Sequence, residues 1–181
     1  MSKRKTDKRI KSICFCAMFA ALTCVCTFIS LPLPIGYFNL GDTIVLTGAW
    51  LLGPLWGTIA AAIGSSLADI LMGFAIYAPA TAVIKGLMAV VACLVLSPLK
   101  KIIKKGSFEI IVRGISAIAS EILMVLGYLL YDATVMGYGA GALVSVAGNA
   151  MQGVVGVCGA LILFTAMRAS HATKLFFVSE D

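Results

Sequence analysis

Charge is scarce in this chain. Asp, Glu, Lys and Arg together make up 12% of its 181 residues, against 61% hydrophobic. Only eight residues are acidic, and His171 is the single histidine. No soluble domain of this length could hide so much apolar surface, so the expected solvent is a bilayer. At about 20 residues per helical crossing, the length accommodates roughly five to seven spans and leaves no room for a soluble catalytic module. There is no G-x-x-x-x-G-K-[ST] run, so any ATP hydrolysis would have to come from another chain. The lone histidine lies beyond the last apolar run. That excludes rhomboid-like serine proteolysis and intramembrane zinc chemistry, both of which need histidine inside the bundle.

The cations that are present have a pattern. The net charge of +6 could suggest nucleic acid, but Lys3, Arg4, Lys5, Lys8, Arg9 and Lys11 crowd the N-terminus. Lys100, Lys101, Lys104 and Lys105 crowd one internal loop, and Arg168 and Lys174 sit in the tail. All flank hydrophobic segments, which is the positive-inside signature and an electrostatic grip on anionic headgroups. No nucleic-acid partner is expected. The basic-then-apolar start resembles a signal peptide. Its apolar run continues for about 20 residues without a clear small-x-small cleavage site, so it reads as a retained first helix.

The first span is expected at 12–31, closed by Pro32 and Pro34, with an outer loop through Asn39. The next apolar block, 41–73, is broken at Gly53-Pro54, because proline disfavours helix for the residue before it. As a single helix it would be roughly 50 Å long, too long for one span and short for two. Charge decides between these. One crossing would put the lysine loop on the opposite side from the basic N-terminus, whereas two thin crossings put both inside. Spans at 78–97, 110–131 and 142–167 complete an all-α integral membrane protein. The expectation is a six-transmembrane-helix bundle in a single domain, with basic residues 1–11 and tail 168–181 both cytoplasmic. No Lys or Arg falls in the outer loops 32–40, 73–77 and 132–141.

Other residue types refine this picture. The six cysteines, Cys14, Cys16, Cys24, Cys26, Cys93 and Cys158, lie inside apolar runs and are expected to be buried small apolar side chains. All five tyrosines (Tyr37, Tyr77, Tyr128, Tyr131 and Tyr138) map to the outer ends or loops. An interfacial belt would put tyrosines at both faces, so a ring-stacking site open to the outside is the sharper reading. Small residues at four-residue spacing, Gly57/Ala61, Gly64/Ala68 and Ala17/Ala21, together with Gly153, Gly156 and Gly159, permit close helix packing.

Three ionisable residues, Asp42, Asp69 and Lys85, lie within otherwise membrane-grade sequence, where such residues mark a pathway or a binding site. A mutual ion pair of Asp69 and Lys85 is the plain structural alternative. Asp42 is expected at the outer edge of a helix, where its cost is small and its role is capping or lid support. Glu121 lies in the fifth expected span. Asn149 and Gln152 share one face of the sixth at i, i+3. Their amides and carboxylate could hydrogen-bond the edge of a heteroaromatic ring. The structural alternative is interhelical hydrogen bonding. An enzyme reading also exists: Tyr131-Asp132 and Leu40-Gly41-Asp42 superficially resemble the halves of an intramembrane aspartyl protease, in reversed chain order.

The motifs Tyr37-Phe-Asn-Leu-Gly-Asp42, Leu52-Gly-Pro-Leu-Trp-Gly57, Gly64-Ser-Ser-Leu-Ala-Asp69, Tyr77-Ala-Pro-Ala-Thr81 and Ile84-Lys-Gly86 resemble the S components of energy-coupling factor (ECF) transporters. The resemblance is to the riboflavin-transporter-like branch, which includes pyridoxine and hydroxymethylpyrimidine carriers. It covers the first four helices in order and spacing, and the last two only in type. It implies a six-helix bundle in a bacterial cell membrane that captures a small vitamin or precursor outside. Partners would be a transmembrane T subunit and two ABC ATPases, with no cofactor in this chain and ATP used by the ATPases. An alanine-x-x-x-alanine pair on the first helix, here Ala17 and Ala21, would meet the T subunit, and the loaded bundle would topple to release its ligand inward. By the same resemblance, 35–40 would be a lid over a pocket of Asn39, Tyr77, Lys85, Glu121, Asn149 and Gln152. Riboflavin carriers tend to have a lysine where Gln152 stands here, which favours a smaller pyridine or pyrimidine ring. A solitary small-solute carrier is the alternative within the transport class.

Overall fold

A computed structural model describes residues 3–33, 36–102 and 108–176, with side chains described for 7–30, 39–99 and 108–176. The side chains of Tyr37 and of Lys3, Arg4, Lys5, Lys100, Lys101, Lys104 and Lys105 lie outside the described residues. So do position 35 of the expected lid and the tail beyond 176.

Five helices among the described residues are long and apolar enough to cross a membrane. They are α1 (Lys3–Phe28), α2 (Gly41–Leu71), α3 (Ala78–Ile102), α4 (Phe108–Thr134) and α5 (Leu143–Ala169). The protein is therefore a multi-pass helical membrane protein. Its exposed side chains include Leu55, Val83, Leu94, Ile122, Leu130 and Ile162, which is the surface that lipid, rather than water, solvates.

The span expected to run to residue 31 ends at Phe28, and the chain turns into an antiparallel hairpin of β1 (Ser30–Leu33) and β2 (Gly36–Asn39). Ser30 pairs with Asn39 and Pro32 with Tyr37. The expected outer loop is therefore an ordered hairpin, in which the strands satisfy each other's backbone groups. Leu40 N donates to Cys26 O at 3.2 Å and ties the hairpin base to the end of α1.

Helix α2 carries the break expected at Gly53-Pro54. Gly53 has φ 78° and ψ −178°, a left-handed conformation that glycine adopts without the Cβ penalty other residues meet, and Pro54 follows with no N–H to give. In a straight helix, residues eight apart are about 12 Å apart. Here a Cβ on Gly57 would lie 2.8 Å from Ala49 Cα, so the second half of α2 folds back along the first.

Every residue of the first half, 41–51, is buried. This short segment is the axis of the bundle. Asp42, expected at a cheap outer edge, is instead 1% exposed. The Gly57/Ala61 and Gly64/Ala68 spacings pack internally, as all four residues are buried. A Cβ on Gly64 would meet the Ala20 carbonyl, and one on Gly153 would meet Glu121 at 3.2 Å. Two cysteines depart from expectation: Cys14 and Cys158 are exposed, while Cys16, Cys24 and Cys93 are buried and Cys26 is half-buried.

At the end of the bundle where the basic residues gather, an unforeseen cluster is built around Arg113, which is 0% exposed. Its guanidinium carbon lies 3.5 Å from the Phe164 ring centroid and 5.2 Å from that of Trp50. Arg113 Nη2 donates to Glu109 at 3.0 Å, and Arg168 of α5 pairs with the same carboxylate at 2.6 Å. The planar guanidinium suits such stacking, which lets the charge sit among aromatics.

Candidate functional site

The opposite end of the bundle holds a cavity of about 310 Å³. Its wall draws on the end of α1 (Thr27), both bases of the hairpin (Ser30 and Asn39) and the second half of α2 (Ser65, Asp69 and Met72). Phe74 and Tyr77 come from the connection to α3, with Thr81 and Lys85 from α3, Tyr128 and Asp132 from α4, and Ser145, Asn149 and Gln152 from α5. By the positive-inside rule, the end remote from Lys8, Arg9, Lys11 and Arg168 is the one expected to face out, and it is called the outer end.

Of the residues singled out from the sequence, Asn39, Tyr77, Lys85, Asn149 and Gln152 line this one cavity. Glu121 does not. It is buried on α4 against Gly153 and Gly156, lines an apolar groove between α4 and α5, and has neither carboxylate oxygen hydrogen-bonded among the described residues. Ala17 and Ala21 are exposed, side by side in an apolar groove between α1 and the second half of α2.

The polar network differs from the expected pairing. Lys85 Nζ donates to Asp42 Oδ1, not to Asp69. Gln152 Nε2 donates to Asp42 Oδ2 at 2.6 Å, and its Oε1 accepts from Asn39 Nδ2 at 3.0 Å. Asn39 Oδ1 in turn accepts from Gly41 N at 2.9 Å. The helix start is thus served by Asn39, and Asp42 points inward as the counter-ion of Lys85. The reason is burial: with 41–51 on the bundle axis, an unpaired carboxylate there would be far costlier than a paired one. The chain Asn39–Gln152–Asp42–Lys85 joins the hairpin to α5, α2 and α3.

A second network closes the outer rim. Tyr77 Oη donates to Asp132 Oδ1 at 3.0 Å and Ser145 Oγ to Asp132 Oδ2 at 2.8 Å. The Tyr131 ring lies 5.4 Å from that of Tyr77, and its hydroxyl donates to Ile76 O at 2.6 Å. Burial, and then the adjacent Asp132, push the Tyr77 phenol above its ordinary range, so it stays a donor. Deeper in, Lys85 Nζ sits 5.6 Å from the Tyr128 centroid, and Tyr128 Oη donates to Thr81 Oγ1 at 3.0 Å. These contacts satisfy the tyrosines in part through protein partners, while leaving the Tyr77 and Tyr128 side chains on the cavity wall.

This wiring leaves no aspartyl dyad. Asp42 is occupied by Lys85 and Gln152, and Asp132 by Tyr77 and Ser145; a dyad would instead need the two carboxylates to share a proton. No group of three or more His, Cys, Asp or Glu side chains among the described residues could hold a metal ion. Sequence reasoning missed the hydroxyls Thr27, Ser30, Ser65, Thr81 and Ser145. Ser and Thr are common in membrane helices because they can bond the carbonyl four residues back, so residue type alone marks none of the five, although Ser65 and Thr81 fall within the motifs of the family resemblance.

Comparison with known proteins agrees with this architecture. A protein of Pyrococcus woesei, described as an uncharacterized protein in gap 3'region, is 32% identical over 139 residues, covering 76% of this chain and 87% of that protein. Residues 7–169 match the family described as ECF-type riboflavin transporter, S component. The chain belongs to this family of non-enzymatic, membrane-embedded transport subunits.

Proposed function

We propose that this chain is the ligand-capturing subunit of an ECF-type importer in the cell membrane, and that the outer cavity is its vitamin site. The observation that carries the reading is the convergence of Asn39, Tyr77, Lys85, Asn149 and Gln152 on one cavity beneath the hairpin. A volume of about 310 Å³ is at the low end of ordinary ligand pockets. With Gln152 committed to Asp42 and Asn39, a single-ring pyridine or pyrimidine vitamin or precursor fits better than a flavin. In this reading Asn149 and Lys85 meet the ligand, Gln152 and Asn39 hold the wall, and the hairpin serves as the lid. Glu121 sits behind the wall and supports it.

The chain holds no cofactor of its own. A T subunit docks on the Ala17/Ala21 groove, two ABC ATPases supply the energy, and the loaded bundle topples to release its ligand inward. The doubling back of α2 at Gly53 supports counting its halves as two thin crossings, giving six in all with both ends of the bundle cytoplasmic. Native mass spectrometry of the purified chain tests the site. A co-purified vitamin-type ring, lost on Asn149→Ala, is the expected result; a bundle that carries no small molecule and binds none of the vitamin-type rings would overturn the reading. Uptake by vesicles that lack T and ATPase subunits would favour the solitary-carrier alternative instead.

A further inference from the structure

Ser65 and Asp69 stand one helical turn apart on the second half of α2, and both line the outer cavity. Ser65 is 1% exposed, and its hydroxyl has no hydrogen-bond partner among the described residues. Asp69 has Thr81, whose Oγ1 accepts from Tyr128 Oη at 3.0 Å, as its hydrogen-bonding neighbour, and the Lys85 charge also acts on it. Asp69 Oδ2 is buried and has no partner among the described residues.

The other charges in the cavity are already answered. Lys85 is paired with Asp42, and both oxygens of Asp132 accept from Tyr77 and Ser145. No Lys, Arg or His occurs between residues 12 and 84, and Lys85, whose charge acts on Asp69, gives its hydrogen bond to Asp42 instead. A buried carboxylate oxygen without a donor is costly. A ligand that brings a donor removes that cost, and a cationic donor removes most of it.

We infer that Ser65 and Asp69 form the selecting subsite of this cavity, one that takes the protonated amine or ring-bound amino group of a heteroaromatic ligand. Asp69 Oδ2 accepts from the nitrogen and Ser65 Oγ completes its hydrogen bonding. The ring lies by Tyr128, and the Asp69 carboxylate disfavours anionic phosphate esters. The inference rests on the cavity being the vitamin site.

The test is binding calorimetry on the full chain in lipid nanodiscs, with probes matched in pairs. One pair is pyridoxamine and pyridoxine; the other is 4-amino-5-hydroxymethyl-2-methylpyrimidine and its 4-oxo counterpart. The amino member of at least one pair should bind about tenfold or more tightly than its oxygen analogue. Asp69→Asn, which keeps the bond from Thr81, should erase that preference while changing the oxygen analogue far less. Ser65→Ala should weaken the amino member alone. Equal affinities within both pairs, a preference surviving Asp69→Asn, or binding of no probe overturns the inference. The wild-type comparison decides the matter even if Asp69→Asn does not fold. Failure here is separable from failure of the vitamin-capture reading. A chain that co-purifies with riboflavin or another uncharged ring keeps the reading and loses the subsite; a chain that carries and binds no small molecule loses both.

Discussion

Asp42 and Lys85 lie 43 residues apart in sequence and neutralise each other on the bundle axis. Their energetics follow from burial at 1% and 4% exposure. Removing one partner strands a buried charge and typically costs about 3–5 kcal/mol, whereas replacing both by residues of similar shape costs far less. Lys85→Met should therefore lower stability by about 3 kcal/mol or more, and Asp42→Asn combined with Lys85→Met should recover much of that loss. Chemical unfolding of the four proteins of this cycle in mild detergent checks it; an additive double variant would show that the pair is not coupled. Gln152 and Asn149 separate in the same way. Gln152 bridges Asn39 and Asp42, so Gln152→Ala should reduce both stability and ligand affinity. The Asn149 side chain makes no hydrogen bond among the described residues, so Asn149→Ala should cost about tenfold in affinity with stability nearly unchanged. Melting curves with and without the co-purified ligand distinguish the two.

Among the elements, the two halves of α2 decide the architecture. Glycine at 57 is required by the closeness of Ala49 backbone, and Gly57→Val should destabilise by about 1–3 kcal/mol through overpacking. At Gly53 the constraint is the positive φ alone, since nothing lies within 4 Å of a Cβ there. Gly53→Ala should accordingly cost about 1–3 kcal/mol through local backbone strain, without a clash against neighbouring elements. Thermal melts of the two variants provide the comparison, and equal behaviour of Gly53→Ala and wild type would refute the backbone argument. On α1, Ala17→Phe and Ala21→Phe fill an exposed groove rather than a core. They should abolish co-purification with T and ATPase subunits and leave ligand binding intact. The break at Gly53-Pro54 was legible because proline and glycine act locally. The hairpin at 30–39 was not, because its apolar residues and two prolines also read as a loop, and strand pairing is a relation between segments.

For the whole molecule, the charge asymmetry predicts the orientation. Single cysteines placed at Gly73 or Val135, in a background with the native cysteines replaced, should react with a membrane-impermeant maleimide in intact cells. One placed at Lys104 should react only after permeabilisation. Labelling of Lys104→Cys from outside would invert the topology and put the cavity on the wrong face for capture. The expected orientation rests on the linear placement of Lys and Arg, on which the positive-inside rule depends. The site was readable in part. Asn39, Tyr77, Lys85, Asn149 and Gln152 drew notice as residue types out of place in lipid, and they do share a cavity. Glu121 drew notice for the same reason and lies outside it, because polarity in a span says that a residue avoids lipid, not which inner surface it meets.

By itself the sequence determined the solvent, the helical multi-pass class and the family, all of which depend on composition and on spacing along one chain. Only the tertiary structure decided which charges meet. The fold-back of α2 puts 41–51 on the bundle axis and brings Asp42 to Lys85, while Asp69 Oδ2 has no hydrogen-bond partner among the described residues. Pairing in a low-dielectric interior is set by distance between helices, and no one-dimensional pattern encodes that distance.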